Sequence, residues 1–429
     1  MRARRACVLF GLVCLAHLAA GPAAAVTVDF TNAGGDWFWG NPSNWSPSAP
    51  GSGDTVRHNS TIASPILVNG AYTIQRLDMA DKEISSGTEN IRVTWEESGA
   101  GRLVTILNDV TIGRQGTNSN TSSDGLRGYL TTDGIDLTIG SPSQRATVTL
   151  GYKSYGQNSN VTGSITVSNG AFTLYATSLV LGNKDGTGRS GSGTGVLDLD
   201  EPGTTSLVDV LNNVSLGSLT GAYTYGTLRM LNGVGTVGGS LSLSHAADGA
   251  KGYVYLTNTP FTVGTTSGGN GRVNFWGEYN ATDYRRRYAQ VWTDVAGHYS
   301  GLDILTDTNG ISFQTTRGAP YNLIDITFSA DPGVADPDGW YWGLRWQGDH
   351  ESYLEGLLSE ANARLVIHDS ALSDAWRLPG LADYIIYNSE TGYTYVGFEV
   401  VVPEPSTLVL AALGSLVLAR RRRARAARR

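Results

Sequence analysis

The sequence predicts an all-β protein: a right-handed parallel β-helix or related solenoid with a mixed β-rich C-terminal cap, flanked by a cleaved signal peptide and a C-terminal transmembrane sorting helix. Three observations predict the body. Glycine supplies 55 of 429 residues, well above the roughly 7% of ordinary chains. Charged residues make up 16%, below the usual figure of about 25%. Two short strand patterns also recur through the middle of the chain.

The first pattern is a glycine followed by aliphatic residues two apart. It appears as Gly163-Ser164-Ile165-Thr166-Val167, Gly195-Val196-Leu197-Asp198-Leu199, Gly226-Thr227-Leu228-Arg229-Met230 and Gly252-Tyr253-Val254-Tyr255-Leu256, with a weaker copy from Gly128. These glycines are 35, 32, 31 and 26 residues apart, the range in which one supersecondary unit repeats to build a solenoid. The second pattern ends in glycine: Val110-Thr111-Ile112-Gly113, Leu137-Thr138-Ile139-Gly140, Val148-Thr149-Leu150-Gly151, Leu179-Val180-Leu181-Gly182, Val214-Ser215-Leu216-Gly217 and Phe261-Thr262-Val263-Gly264. Leu241-Ser242-Leu243-Ser244 lacks the glycine. In each triplet the two apolar side chains face inward together, and the glycine permits a corner backbone that other residues resist. Stacked rungs of this kind make a β-helix. The alternative is a β-sandwich of antiparallel hairpins, with Asn169-Gly170 and Asn232-Gly233 as hairpin turns.

In chain order, Arg2, Arg4 and Arg5, an apolar run from Cys7 to Ala20 and the small residues Ala23-Ala24-Ala25 form a secretory leader. Cleavage is expected after Ala25, and export by the Sec translocase follows. Residues 26–99 form a Trp-rich β cap, opening with Gly35-Asp36-Trp37-Phe38-Trp39 and Asn44-Trp45-Ser46-Pro47, then Gly53-Asp54-Thr55-Val56. The segment resembles the start of bacterial autotransporter-associated β-repeat proteins, which implies that tryptophans cover the first rung. Sugar stacking is the functional alternative for Trp37, Trp39 and Trp45.

Residues 100–279 form the repeat solenoid, and residues 280–402 a β-rich cap domain with one helix between His350 and Ala363, carried by Leu354, Leu357, Leu358 and Ala361. In this cap Trp340, Trp342 and Trp346 suit either a core or contact with a glycan. Asp331, Asp336 and Asp338 lie in a Pro/Gly-rich loop with oxygen ligands of the kind calcium takes. The triplet Arg285 to Arg287 suits an acidic polysaccharide or a solvated loop.

Residues 403–429 form the tail. Val402, Pro403, Glu404, Pro405, Ser406 and Thr407 precede an apolar run carrying Leu408, Leu410, Leu413, Leu416 and Leu418, and then the basic cluster Arg420, Arg421, Arg422 and Arg423. The twelve residues Leu408 to Ala419 span about 18 Å as a helix, against ~30 Å of hydrocarbon. They are expected as a short membrane anchor with the arginines on the cytoplasmic side. These residues closely resemble the PEP-CTERM sorting signal of Gram-negative bacteria, with Pro403-Glu404-Pro405 as its tripeptide. The resemblance implies processing by an exosortase, a membrane cysteine transpeptidase, and a transient inner-membrane anchor before delivery to the envelope, surface or matrix.

Charge narrows the partners further. Removing residues 1–25 and 403–429 takes away ten arginines and one glutamate, leaving 21 basic and 37 acidic side chains, a net charge of −16. Nucleic acid is then excluded as a partner by repulsion. Both cysteines, Cys7 and Cys14, lie in the leader, so the mature body has no thiol chemistry. His58, His245, His298, His350 and His368 lack the spacing of a helical metal pair. Gly233-Val234-Gly235-Thr236-Val237-Gly238 matches a dinucleotide fingerprint but leads into a strand and not a helix. Neither a cofactor nor an enzymatic activity is expected. The function expected is that of a non-catalytic structural protein of the envelope or exopolysaccharide layer. The alternatives are a polysaccharide-binding adhesin and a β-helix lyase or hydrolase.

Overall fold

The structure is a computed structural model. It describes residues 25–400 except 83–87, 100–101, 116–124, 154–159, 185–190, 200–204, 218–222, 245–248, 266–270, 281–284, 307–309, 314–320 and 360–362. Most of its strands fall into three parallel ladders, one per face of a solenoid, and through the body each turn of the chain adds one strand to each face.

The first face stacks Ile66–Val68, Glu89–Glu97, Gly125–Asp133, Asn160–Ser168, Gly193–Leu199, Thr224–Leu231, Lys251–Thr257, Arg285–His298, Asn322–Val334 and Leu365–His368. The second runs from Ala71–Ile74 through Leu103–Ile106 to Trp340–Gln347. The third runs from Thr27–Phe30 through Val110–Gln115 to Ile311–Phe313. The strand Phe172–Lys184 is long enough to serve the second and third faces in succession.

Register follows the sequence periodicity. Gly128, Gly163, Gly195, Gly226 and Gly252 are direct neighbours on the first face. The column beside them, Leu130, Ile165, Leu197, Leu228 and Val254, is fully buried. Such a column places one branched aliphatic on the next at the inter-strand spacing of about 4.8 Å, and each side chain contributes roughly 1.5–3 kcal/mol by leaving water.

The two glycine patterns meet in one contact. Gly151 ends its third-face triplet with φ +72°, and a Cβ there would lie 1.8 Å from the Thr194 carbonyl oxygen of the first face. Across the core, a Cβ on Gly195 would lie 2.3 Å from the Leu150 carbonyl oxygen. Backbone thus packs on backbone at this corner, which only glycine allows. Where the glycine is missing the left-handed corner persists, at Ala80 (φ +50°) and Ser244 (φ +60°).

Asn169-Gly170 and Asn232-Gly233 are not hairpin turns. Asn169 and Asn232 take positive φ at corners between the first and second faces. The strands on either side pair with neighbouring coils and not with each other. The antiparallel sandwich is therefore excluded as the architecture of the body.

The ladders stop neither at residue 99 nor at residue 279. Val93 lies in register with Leu130, and Val291 and Ile324 extend the same column. Residues 280–400 add further coils, closed by the antiparallel strands Ile385–Asn388 and Tyr393–Glu399 and by the helix Glu351–Ser359, which buries Leu354 and Leu357. At the other end Trp39 and Trp45 are buried in an aromatic cluster with Trp95, the ring centroids of Trp45 and Trp95 lying 4.9 and 5.1 Å from that of Trp39.

The expected transmembrane sorting helix is corrected. Among the described residues no helix is long and apolar enough to cross a membrane. Leu408, Leu410, Leu413, Leu416 and Leu418 lie outside the described residues, as do Arg420 to Arg423. A run of twelve residues also falls short of the ~20 that a span needs. The membrane as a partner through a C-terminal helix, and the transient inner-membrane anchor, are withdrawn.

Candidate functional site

On the third face the inward aliphatics leave one outward residue in each triplet. Thr111, Thr149, Val180, Ser215, Ser242 and Asn274 therefore form a single row along the solenoid axis, each in register with the next. Short side chains make the row a trough. Although they face outward, Thr111, Ser215 and Ser242 are only 8%, 7% and 9% exposed. A cavity of about 410 Å³ runs over Val180, Ser215, Ser242 and Asn274, walled by Ser178, Asn213 and Ser240 at the bend toward the second face. A second recess of about 210 Å³ adjoins it over Thr111 and Thr149, flanked by Arg114 and Tyr152.

The lining of the larger cavity is hydroxyl and amide around the aliphatic Val180, with no charged group. The Asn274 amide donates to Ser242 Oγ at 3.3 Å, and the Ser240 N–H donates to Asn213 Oδ1 at 2.8 Å. Among the described residues the hydroxyls of Thr111, Thr149, Ser178 and Ser215 have no hydrogen-bond partner. At the far end the Arg114 guanidinium lies 5.8 Å from the Tyr152 ring centroid. The trough can exchange hydrogen bonds in both directions with a neutral polar polymer.

The second face beside it carries its own row, Tyr175, Asp209, Thr236, Thr262, Asp303 and Arg345. Its acids are occupied. Arg145 pairs with Asp209 at 2.7 Å, and Thr236 donates to the same carboxylate at 2.9 Å. Arg345 grips Asp303 with two bonds of 2.9 and 2.7 Å and reaches Asp336 at 3.2 Å. Burial opposes the Arg345 charge, but the hydrogen bonds and charge of Asp303, then the charge of Asp336, outweigh it and raise its pKa.

Trp340, Trp342 and Trp346 sit around this node, 3%, 1% and 3% exposed. Trp340 stacks on Tyr395 at 4.1 Å, Trp342 donates to Asp336 at 2.8 Å, and Trp346 stacks on His350 at 3.7 Å. The returning strand Tyr393–Glu399 and its neighbours cover these rings, so no face is free for a sugar, and the geometry is that of a core. Asp336 also accepts from the backbone N–H groups of Trp340 and Asp338 at 2.7 and 3.1 Å. Its oxygens are thereby committed to the fold. Among the described residues no cluster of three or more His, Cys, Asp or Glu side chains is placed to hold a metal.

The processing segments lie at the two ends. Ala23 lies outside the described residues, whereas Ala25 and Val26 are exposed just before the first strand, Thr27–Phe30. The Val26 nitrogen is 3.1 Å from Asp54 Oδ1. Val402, Pro403, Glu404, Pro405, Ser406 and Thr407 lie outside the described residues. They follow closely on Val400, whose N–H donates to the Gly339 carbonyl at 2.7 Å.

Fold and trough together define a three-faced, largely parallel β-solenoid with an extended polar surface. The family model for the PEP-CTERM protein-sorting motif matches residues 401–423, so the chain carries that motif at its C-terminal end. No curated protein and no solved structure matches the chain.

Sequence reasoning missed the trough. Thr111, Thr149, Val180, Ser215 and Ser242 are the middle members of the triplets quoted above, whereas Asn274 belongs to Val273–Phe275, which no glycine follows directly. The available signal was that these middle positions are short and polar in five of the six rungs.

Proposed function

We propose that the protein is exported, sorted by an exosortase through its PEP-CTERM motif, and delivered to the cell surface or extracellular matrix, where it serves as a non-catalytic structural solenoid. The observation that carries this reading is the sorting motif at residues 401–423, directly after the strand that closes the β body. The solenoid supports it as well. Its continuous ladders make a stiff rod, its acidic groups on the second face are tied up in ion pairs, and a net charge of −16 in the processed body keeps such rods soluble and apart.

Deleting Pro403 to Pro405 and following the chain by fractionation and mass tests the assignment. The variant is expected to stay unprocessed and absent from the surface. Normal processing and surface delivery of the variant would refute it.

A further inference from the structure

We propose that the trough on the third face is a binding site for a neutral, linear polysaccharide laid along the solenoid axis. The site is independent of how the tail is processed.

Length, lining and charge each support this. The row from Thr111 to Asn274 crosses five inter-coil steps, about 24 Å at about 4.8 Å per step. It therefore offers one polar side chain per coil in nearly every coil, which suits a polymer that presents hydroxyls at regular intervals. Thr111 and Ser215 are more than nine-tenths buried, line the recesses and have no hydrogen-bond partner among the described residues. Neither hydroxyl oxygen is among the buried atoms left without a partner, so both open into the recess, where they can donate to and accept from a ligand. The lining has no aliphatic or aromatic cluster of the kind that anchors a protein partner. The row also lies on a sheet face, whose backbone groups are already paired in the ladder, so β-strand addition is excluded there. With no charged group in the larger cavity and a net charge of −16 on the processed body, a polyanion is disfavoured.

The test is affinity electrophoresis of the purified protein through gels containing dextran, galactomannan, mixed-linkage glucan or, as the polyanion, polygalacturonate. Ser215→Leu and Ser242→Leu fill the floor of the trough, Ser178→Leu fills its wall, and Thr227→Leu on the outer side of the first face is the control. At least one neutral glycan is expected to retard the native protein. The trough variants should weaken that retardation at least tenfold, and the control should leave it unchanged. Unfolding midpoints verify that each variant is folded. If a floor variant fails to fold, Ser178→Leu at the wall decides. The proposal is overturned if no neutral glycan of the panel retards the protein, if the trough substitutions leave retardation intact, or if polygalacturonate binds more tightly than the neutral polymers.

Discussion

Replacing Gly151 by alanine tests the corner contact that sets the cross-section of the solenoid. The new Cβ would lie 1.8 Å from the Thr194 carbonyl oxygen and 2.3 Å from its carbon, at a residue whose φ is +72°. The left-handed conformation alone costs about 1–2 kcal/mol for a residue with a Cβ. Forcing the adjoining backbone apart adds about 1–3 kcal/mol, and alanine recovers about 0.4–1 kcal/mol by restricting the unfolded chain. The sum is a loss of about 1–5 kcal/mol. Gly392, with φ +74° and nothing within 4 Å of its missing Cβ, is the matched control, because Gly392→Ala carries the conformational cost without the collision. Urea unfolding followed by circular dichroism, with hydrogen exchange at the Leu150 and Gly195 amides, measures both. If Gly151→Ala costs no more than Gly392→Ala, the backbone contact between faces does not set the corner.

Ala80 occupies the same corner at φ +50°, opposite Gly113 in the neighbouring coil, so Ala80→Gly should stabilise the fold by up to about 1 kcal/mol in the same assay. His58 is fully buried, and desolvation depresses its pKa from 6.5 to about 4, partly offset by the charge of Asp29. The native state keeps this ring neutral while the unfolded chain takes up a proton below pH 6.5. Its contribution is therefore complete above pH 6.5, is lost as the pH falls from 6.5 to about 4, and changes no further below that. The loss amounts to about 3 kcal/mol, and a His58→Phe protein should lack this part of the acid dependence in pH-resolved thermal unfolding. Replacing Arg345 by methionine strands Asp303 and Asp336, which are 4% and 5% exposed, and should cost about 3–5 kcal/mol. Adding Asp303→Asn and Asp336→Asn should restore part of that in a thermal melt, and no restoration would contradict the ion-pair account.

The repeat was legible because its inward positions use a narrow set of residues. Gly163, Gly195, Gly226 and Gly252, with an aliphatic two positions on, declare both strand and register, and these glycines stack as direct neighbours. The ends of the array were not legible. There the diagnostic glycine is replaced by Ala289 opposite Gly252 and by Asn322 opposite Ala289, residues that fill the same ladder without announcing it. The Asn-Gly pairs left the antiparallel alternative open because asparagine adopts a left-handed backbone equally well in a hairpin turn and at a solenoid corner. The tryptophans at 340, 342 and 346 alternate as an exposed strand face would, and only the return of Tyr393–Glu399 determines that they are covered. The trough depends on which small residues line up across coils of unequal length, and this is set by register that no single strand reveals. The tail was legible because its signal is linear: Pro403-Glu404-Pro405 lies within the matched residues 401–423.

The most direct test of the central claim is mass mapping of the C-terminus of the protein isolated from the surface of cells with and without an active exosortase. Sorting through the motif predicts that, in cells with the enzyme, the mature chain ends near Pro403-Glu404-Pro405 and lacks Arg420 to Arg429. In cells without it, the same residues should be retained. A surface protein that keeps Arg429 in both strains would contradict the account.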